Sequence, residues 1–218
     1  MRGEPLTEQR AFVTVDIAYT NDSSTKARFD VYQNPDWAKG YDVVIHDECS
    51  ADVKDMPYVQ NLLAAHKSVP AVNLHCAMHS YRTGTDDWFK FIGIQSSSHG
   101  PQEPIVIQFL DPKHPITAGL TNWTTVREEL YNNIKVFETA TPLARGRQIV
   151  KRPDGTTRDE ESVVVWVNQH ENTRIFNTTL GHNNATVSDP RYLDLLTRGL
   201  LWSCGKLDKF YLKPARNQ

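Results

Sequence analysis

The sequence predicts a single α/β domain, and three observations carry that expectation. Tyr41-Asp-Val-Val-Ile45 and Val69-Pro-Ala-Val-Asn-Leu74 are short apolar runs on either side of Pro57 to His66, where Tyr58, Leu62, Leu63 and Ala65 fall at helical spacing. Strand, helix and strand at this separation form a right-handed crossover and hence a parallel sheet. Further on, Ser162-Val-Val-Val-Trp-Val167 and Thr173-Arg-Ile-Phe-Asn-Thr-Thr-Leu180 flank a short polar link and read as an antiparallel pair.

The remaining elements follow in order. Ala11 to Asp16 alternates as a strand, and Arg28-Phe-Asp-Val-Tyr32 is a second short strand before the Asn34-Pro35-Asp36 turn. Ser96-Ser-Ser-His-Gly100 is a loop, Pro104 to Leu110 a strand, and Asp111-Pro-Lys-His-Pro115 a turn. Lys151 to Glu161 is a solvated hairpin tip. The last helix has Asp189 as its N-cap and Pro190 at the first helical position, a residue that lacks the N–H this turn leaves unused. Leu193, Leu196, Leu200 and Cys204 form its apolar face, and Gly205 stops it.

Composition narrows the function classes. The 218 residues suit one domain, and a hydrophobic share of 39% with five Trp is enough for a sizeable core. The formal charge of −2, with both signs interspersed, gives nucleic acid or an anionic membrane no electrostatic reason to bind. No apolar run reaches the roughly 20 residues that span a bilayer. Met1 to Arg10 is polar and lacks the apolar core of a secretory leader, so a cytoplasmic protein is expected, with export open if a leader is missing. Cys49, Cys76 and Cys204 are odd in number and widely spaced, which predicts neither a disulfide framework nor a zinc knuckle.

Ligands in open parallel sheets bind beyond the carboxyl ends of the strands. Three expected strands end on histidine: Ile45 precedes His46-Asp47-Glu48, Leu74 precedes His75-Cys76-Ala77-Met78-His79, and Leu180 precedes Gly181-His182-Asn183. Imidazoles with a carboxylate suit either a divalent metal, zinc first, or general acid–base chemistry. Each histidine alone is better explained as satisfying local backbone; His75 and His182 together favour a site. Cys76, just past a strand, resembles the nucleophile turn of class I glutamine amidotransferases, although Met78 stands where a small residue would close that turn, and a buried inert thiol is the better reading. Glu128 and Glu129 read as a solvated face. His114 is a turn element, and His99 a loop residue able to reach a pocket.

Several strings in order then resemble one family: Tyr41-Asp-Val-Val-Ile45, Asn73-Leu-His-Cys-Ala77, Ser98-His-Gly100, His114-Pro-Ile-Thr-Ala-Gly-Leu120, Glu128-Glu-Leu-Tyr131, Thr179-Leu-Gly-His182 and Leu196-Thr-Arg-Gly-Leu-Leu-Trp202. Together they resemble the ThuA-like (trehalose utilisation) family, from about Tyr41 to Lys206. The resemblance implies a flavodoxin-like three-layer sandwich within the glutamine-amidotransferase-like group, with a mostly parallel sheet and an antiparallel edge. The first strand of such folds is missing here unless residues 11 to 16 replace it. It further implies disaccharide breakdown through keto-sugars, with His75, His182 and Glu129 as catalytic or metal-holding residues. His99, Tyr131 and Asn183 would then face the substrate, and His46 and His79 would be neighbours of the pocket. A small carbohydrate is the expected partner, and a homo-oligomer is compatible with the chain. The rival readings are a non-catalytic sugar-binding module stacking Tyr81, Trp88 or Trp123 on its ligand, and a thiol enzyme built on Cys76.

Overall fold

The computed structural model describes residues 13–151 and 154–208. Its centre is a seven-stranded mixed sheet in the order β1-β2-β9-β8-β7-β4-β5. Strand β1 (Val44–His46) pairs in parallel with β2 (Ala71–Leu74), joined by helix α1 (Met56–Ala65), and β2 pairs in parallel with β9 (Thr173–Thr178). Strands β8 (Thr157–His170), β7 (Thr141–Lys151), β4 (His99–Phe109) and β5 (Trp123–Tyr131) extend the sheet with antiparallel pairings. Two further strands, β3 (Ile94–Gln95) and β6 (Lys135–Val136), form a separate small ribbon. The expected α/β crossover and the β8–β9 hairpin are therefore both present.

The antiparallel part is more than an edge. Among the described residues two pairings are parallel, β1–β2 and β2–β9, so the mostly parallel sheet expected is a mixed one. The difference lies in β5 and β7, whose inward positions Thr125, Glu128, Gly146 and Gln148 are not apolar and so give no strand signal. Three-layer packing holds. Helix α1 and helix α2 (Asp87–Ile92) cover one face with Trp37, Leu62, Trp88, Phe91 and Trp166, while helix α4 (Pro190–Ser203) covers the other with Val72, Ile105, Val164, Phe176 and Leu195. Alternation across the strands explains the split: Ala71 and Ile175 face the first layer, Val72 and Phe176 the second.

Two early elements differ from expectation. Val13 to Tyr19 is exposed and joins no sheet, and Ala11 and Phe12 lie outside the described residues. Among the described residues, β1 is the first strand of the sheet. The segment Arg28 to Tyr32 is not a strand, because Asp30–Gln33 closes a 3-10 turn with Tyr32 turned into the core.

Helix α4 begins as expected, with the Asp189 carboxylate accepting from Arg191 N at 2.8 Å. Its deepest face is rotated from the leucine stripe, onto Tyr192, Leu195, Gly199 and Leu201, with Leu196 and Leu200 at the flank. Gly199 is the cause: a Cβ there would stand 2.4–2.6 Å from the Phe176 ring, so the bare backbone lets the helix sit directly on β9. Gly199→Ala is expected to lower stability by about 1–3 kcal/mol through overpacking, read as a reduced midpoint in urea with unchanged slope.

Candidate functional site

The site assembles where β2 and β9 end and where β4 and β5 meet. Strand β2 stops at Leu74, and His75 takes the left-handed region at φ 37°, opening a 3-10 turn over His75–His79. Strand β9 runs out through Gly181 at φ 127°, a value that favours glycine, and this swings His182 inward. Residues distant in sequence meet because β2 and β9 are parallel neighbours whose ends coincide, Leu74 opposite Thr178. On the far side, His99 opens β4 opposite Tyr131, and Gln102 lies opposite Glu129.

Glu129 is the hub. Its carboxylate lies 3.7 Å from His75 Nε2, 3.6 Å from His99 Nε2 and 3.3 Å from His182 Nδ1, and it accepts from Gln102 Nε2 at 3.1 Å. Only 6% of Glu129 is exposed, and the groups that can donate to it are Gln102 Nε2 and His182 Nδ1. The reading of Glu128-Glu129 as a solvated face is thereby corrected, since both lie buried on β5.

The hydrogen bonds fix the tautomers. His75 Nδ1 donates to Thr179 O at 2.9 Å, which leaves the Nε2 lone pair facing the cavity. Burial pushes His75 below the ordinary histidine range, so at neutral pH it is an uncharged acceptor. The Tyr131 hydroxyl stands 3.4 Å from that nitrogen, and burial raises the phenol, which stays protonated. Gln102 Nε2 donates to His182 Nε2 at 2.8 Å, so His182 Nδ1 carries the hydrogen directed at Glu129.

These residues can hold a cation. The donor atoms of His75, Glu129 and His182 all lie within 4.8 Å of one another. Tetrahedral zinc with bonds of about 2.0–2.2 Å needs its ligand atoms roughly 3.3–3.6 Å apart, so small side-chain movements suffice. His75 already shows the outer hydrogen bond typical of a metal-bound imidazole. A cation at His182 Nδ1 would replace the hydrogen there, and a flipped Gln102 amide would still satisfy Nε2.

Other expected residues divide. His79 stacks on Tyr131 with centroids 4.1 Å apart and bonds Ser96 Oγ at 2.8 Å; burial, aided by Arg82, pushes it down to about 3, so it backs the pocket as a neutral ring. Asn183 uses its side-chain oxygen to cap helix α3 (Asn184–Val187) through Ala185 N. His114 accepts from Ile116 N, as a turn residue should. His46 is not at the pocket. Strand alternation turns it to the opposite layer, where His46 Nε2 meets His66 Nε2 at 2.8 Å. Tyr81 and Trp88 are fully buried and Trp123 nearly so beneath Arg191, so none offers a face to a sugar.

Cys76 is corrected as well. It forms a disulfide with Cys49, with Cα atoms 4.8 Å apart, and is neither a nucleophile nor a free buried thiol. The bond ties the loop after β1 to the residue following His75. Sequence spacing gave no signal for it, because the proximity arises from the register of β1 on β2.

Sequence reasoning also missed Glu128 and Asp47. Glu128 is fully buried and accepts from the backbone N–H groups of Gly181, His182 and Asn183 at 3.3, 3.1 and 2.9 Å, clamping the loop that carries His182. Asp47, just past β1, is lifted to about 6 by surrounding protein and by Glu48. Its side chain still reaches solvent, as at a crowded rim.

Comparison with known proteins bears on the fold and the family. Among solved structures, the chain is similar to two proteins described only as ThuA-like. One, from Parabacteroides merdae, is 21% identical with a TM-score of 0.62, over 79% of this chain and 74% of that one. The other, from Bacteroides uniformis, is 18% identical with a TM-score of 0.63, over 84% and 79%. A cytoplasmic protein of Salmonella typhimurium shares the fold at 10% identity and a TM-score of 0.57, over 79% and 77%. No curated protein sequence matches. None of the described helices is long and apolar enough to cross a membrane. The sequence profile of the trehalose-utilisation family, ThuA, matches residues 8–203, and the chain belongs to that family.

Proposed function

We propose that this protein acts in sugar catabolism on a glycoside or keto-sugar, using His75, Glu129 and His182 to hold a divalent cation, zinc first. The observation that carries the reading is the convergence of two imidazoles and a carboxylate from three separate segments within 4.8 Å, at the strand ends. A bound cation would polarise a sugar oxygen or acidify a water. The protein's own groups then orient the substrate. Tyr131 offers a protonated hydroxyl, and His99, stacked on the Tyr131 ring with its side chain 41% exposed, offers an imidazole edge to the opening. Without a cation, the neutral His75 Nε2 accepts a proton from substrate or water, with Glu129 steadying the imidazolium formed.

The Cys49–Cys76 bond supports work in an oxidising compartment rather than the cytoplasm expected from the polar amino terminus. The thiol-enzyme reading has no free sulfur at position 76.

Metal analysis of purified protein and turnover of 3-keto-glucosides test the proposal together. His182→Ala is expected to lower zinc affinity at least tenfold and turnover about 100-fold. Unchanged turnover in the variant overturns the reading. Saturable sugar binding with no product would make the protein a binding module instead.

A further inference from the structure

The loop after β1 and the turn after β2 are fastened to each other at two places. Downstream, Ser50 N donates to Ser80 Oγ at 2.8 Å, Ser80 Oγ donates to Glu48 O at 2.6 Å, and Tyr81 N donates to Ser50 O at 3.0 Å. Upstream the fastening is covalent, because the Cys49–Cys76 bond attaches one residue beyond His75. Cys49 is itself held between two buried residues. The Glu48 carboxylate engages His46 Nδ1 at 2.9 Å and accepts from the Tyr81 hydroxyl at 2.7 Å, and Ser50 Oγ donates to Ala27 O at 2.9 Å. The disulfide thus joins a fixed post to the turn that carries His75.

His75 needs such a hold. Its φ of 37° lies in the left-handed region, which a residue with a Cβ rarely adopts. A conformation of that kind persists only where the surroundings over-determine it. From the β9 side, Thr179 O fixes the ring through Nδ1. Two residues on, Trp88 Nε1 donates to Ala77 O at 2.9 Å and holds the turn from α2. Between them, the disulfide secures the backbone directly after His75.

We propose that the Cys49–Cys76 bond is a positioning element for His75, and that opening it with a dithiol frees the turn and weakens the cation site. The part that concerns the cation rests on the proposed function; the placement of His75 does not. Solvent reaches the sulfurs, since Cys49 is exposed and Cys76 half-buried. A thiolate of the dithiol attacks Cys49 Sγ, the S–S bond breaks, and Cys76 leaves as a thiolate that takes up a proton. The second thiol of the reagent then displaces Cys49 from the mixed disulfide. The protein gains two electrons and two protons, and the dithiol is oxidised to its own disulfide. With the tie gone, His75 relaxes toward an ordinary φ, Nδ1 leaves Thr179 O, and Nε2 leaves its place 3.7 Å from Glu129. The site is then complete in an oxidising compartment and loosened in a reducing one. A bond that only restricted the unfolded chain would act differently: it would raise the unfolding midpoint and leave the folded geometry of His75 untouched.

The test follows the imidazole nitrogens of the metal-free full chain by nitrogen-15 NMR before and after dithiothreitol, with the His75 signals identified by their loss in His75→Gln. Oxidised protein is expected to show His75 locked as the Nδ1–H tautomer. Reduced protein that is still folded should show the two tautomers averaged, and reoxidation should restore the first spectrum. Zinc affinity is then compared between wild type and Cys49→Ser/Cys76→Ser, which has no thiol at either position to bind the metal. It should fall at least tenfold. If the reduced or doubly substituted protein does not stay folded, both measurements are repeated in trimethylamine N-oxide, which favours the compact state. A His75 signal unmoved by reduction overturns the proposal. Global unfolding even in the osmolyte overturns it as well, because the bond is then a general staple of the fold. A changed His75 signal with undiminished zinc affinity upholds the positioning and overturns the use of His75 as a ligand in the proposed function.

Discussion

Replacing Glu128 with alanine is expected to abolish the site without touching any residue that faces the ligand. The carboxylate sits in the interior with no exposure and accepts three backbone N–H groups in succession, from Gly181, His182 and Asn183. Hydrogen bonds to a buried carboxylate contribute about 1.5–3 kcal/mol each, and removing the acceptor leaves three half-buried donors without it. These losses are not additive, because the 181–183 loop can relax and recruit water. A total of about 3–5 kcal/mol is therefore the reasonable expectation. The loop that relaxes is the one placing His182 Nδ1 3.3 Å from Glu129. Zinc affinity and turnover should then fall by at least 100-fold, as far as in His182→Ala. Glu128→Gln separates position from charge: it keeps one acceptor oxygen but turns an NH2 group toward the same donors. It should recover part of the stability and little of the affinity. A Glu128→Ala protein with wild-type unfolding midpoint and zinc affinity would show that the clamp is dispensable.

Glu128 also marks the limit of what the sequence carried. Period-two alternation and the strand-end rule located His75 and His182, and both lie in the site. The same rule selected His46 equally, and that was wrong. Nothing in Val-Ile-His at the end of β1 says which face of the sheet His46 takes, and a shift of one residue exchanges the layers. Adjacent glutamates posed a similar difficulty. Charge pairs in isolation suggest a solvated surface, and only the packing of β5 against the ends of β9 and β4 reveals that Glu129 gathers imidazoles while Glu128 holds a loop. The disulfide was illegible for a different reason. Cys49 and Cys76 are 27 residues apart, and their meeting depends on the parallel register His46 opposite Asn73. Local signals fared best where one residue decides the outcome, as with the Asp189-Pro190 start of α4.

The misplaced His46 leads to the second large effect, an acid-labile core. His66 Nδ1 donates to Val69 O at 2.9 Å, so its Nε2 must accept, and the only hydrogen directed there is that on His46 Nε2 at 2.8 Å. His46 Nδ1 then shares a proton with Glu48 Oε1 at 2.9 Å, and Tyr81 donates to the same oxygen at 2.7 Å. Trp37, Trp88 and Phe91 enclose the chain of groups. Burial, reinforced by His46, holds His66 down at about 3. Glu48 is held below the usual carboxylate range: burial alone pushes it up, and the charge and hydrogen bond of His46 with the Tyr81 hydroxyl outweigh that push.

Both shifts have the same sign. The unfolded chain takes up a proton on His66 near pH 6.5 while the folded one does not, so the stabilisation is complete above that pH and is lost as pH falls toward about 3. Glu48 adds its share below about 4.5, where only the unfolded carboxylate is protonated. The His66 contribution is on the order of 3–5 kcal/mol across its full window. His75 and His79 are displaced in the same direction and steepen the slope. Urea unfolding at pH 7.5, 6.0 and 5.0 should show stability falling at each step. His66→Gln keeps an acceptor for His46 but cannot titrate. It is expected to be weaker at pH 7.5 by about 1–3 kcal/mol, through the lost bond to Val69 O, and to lose stability less steeply between pH 6.5 and 5.0. An equal slope in variant and wild type would mean that His66 is protonated in the folded protein, and the directed chain from His66 to Glu48 would then be wrong.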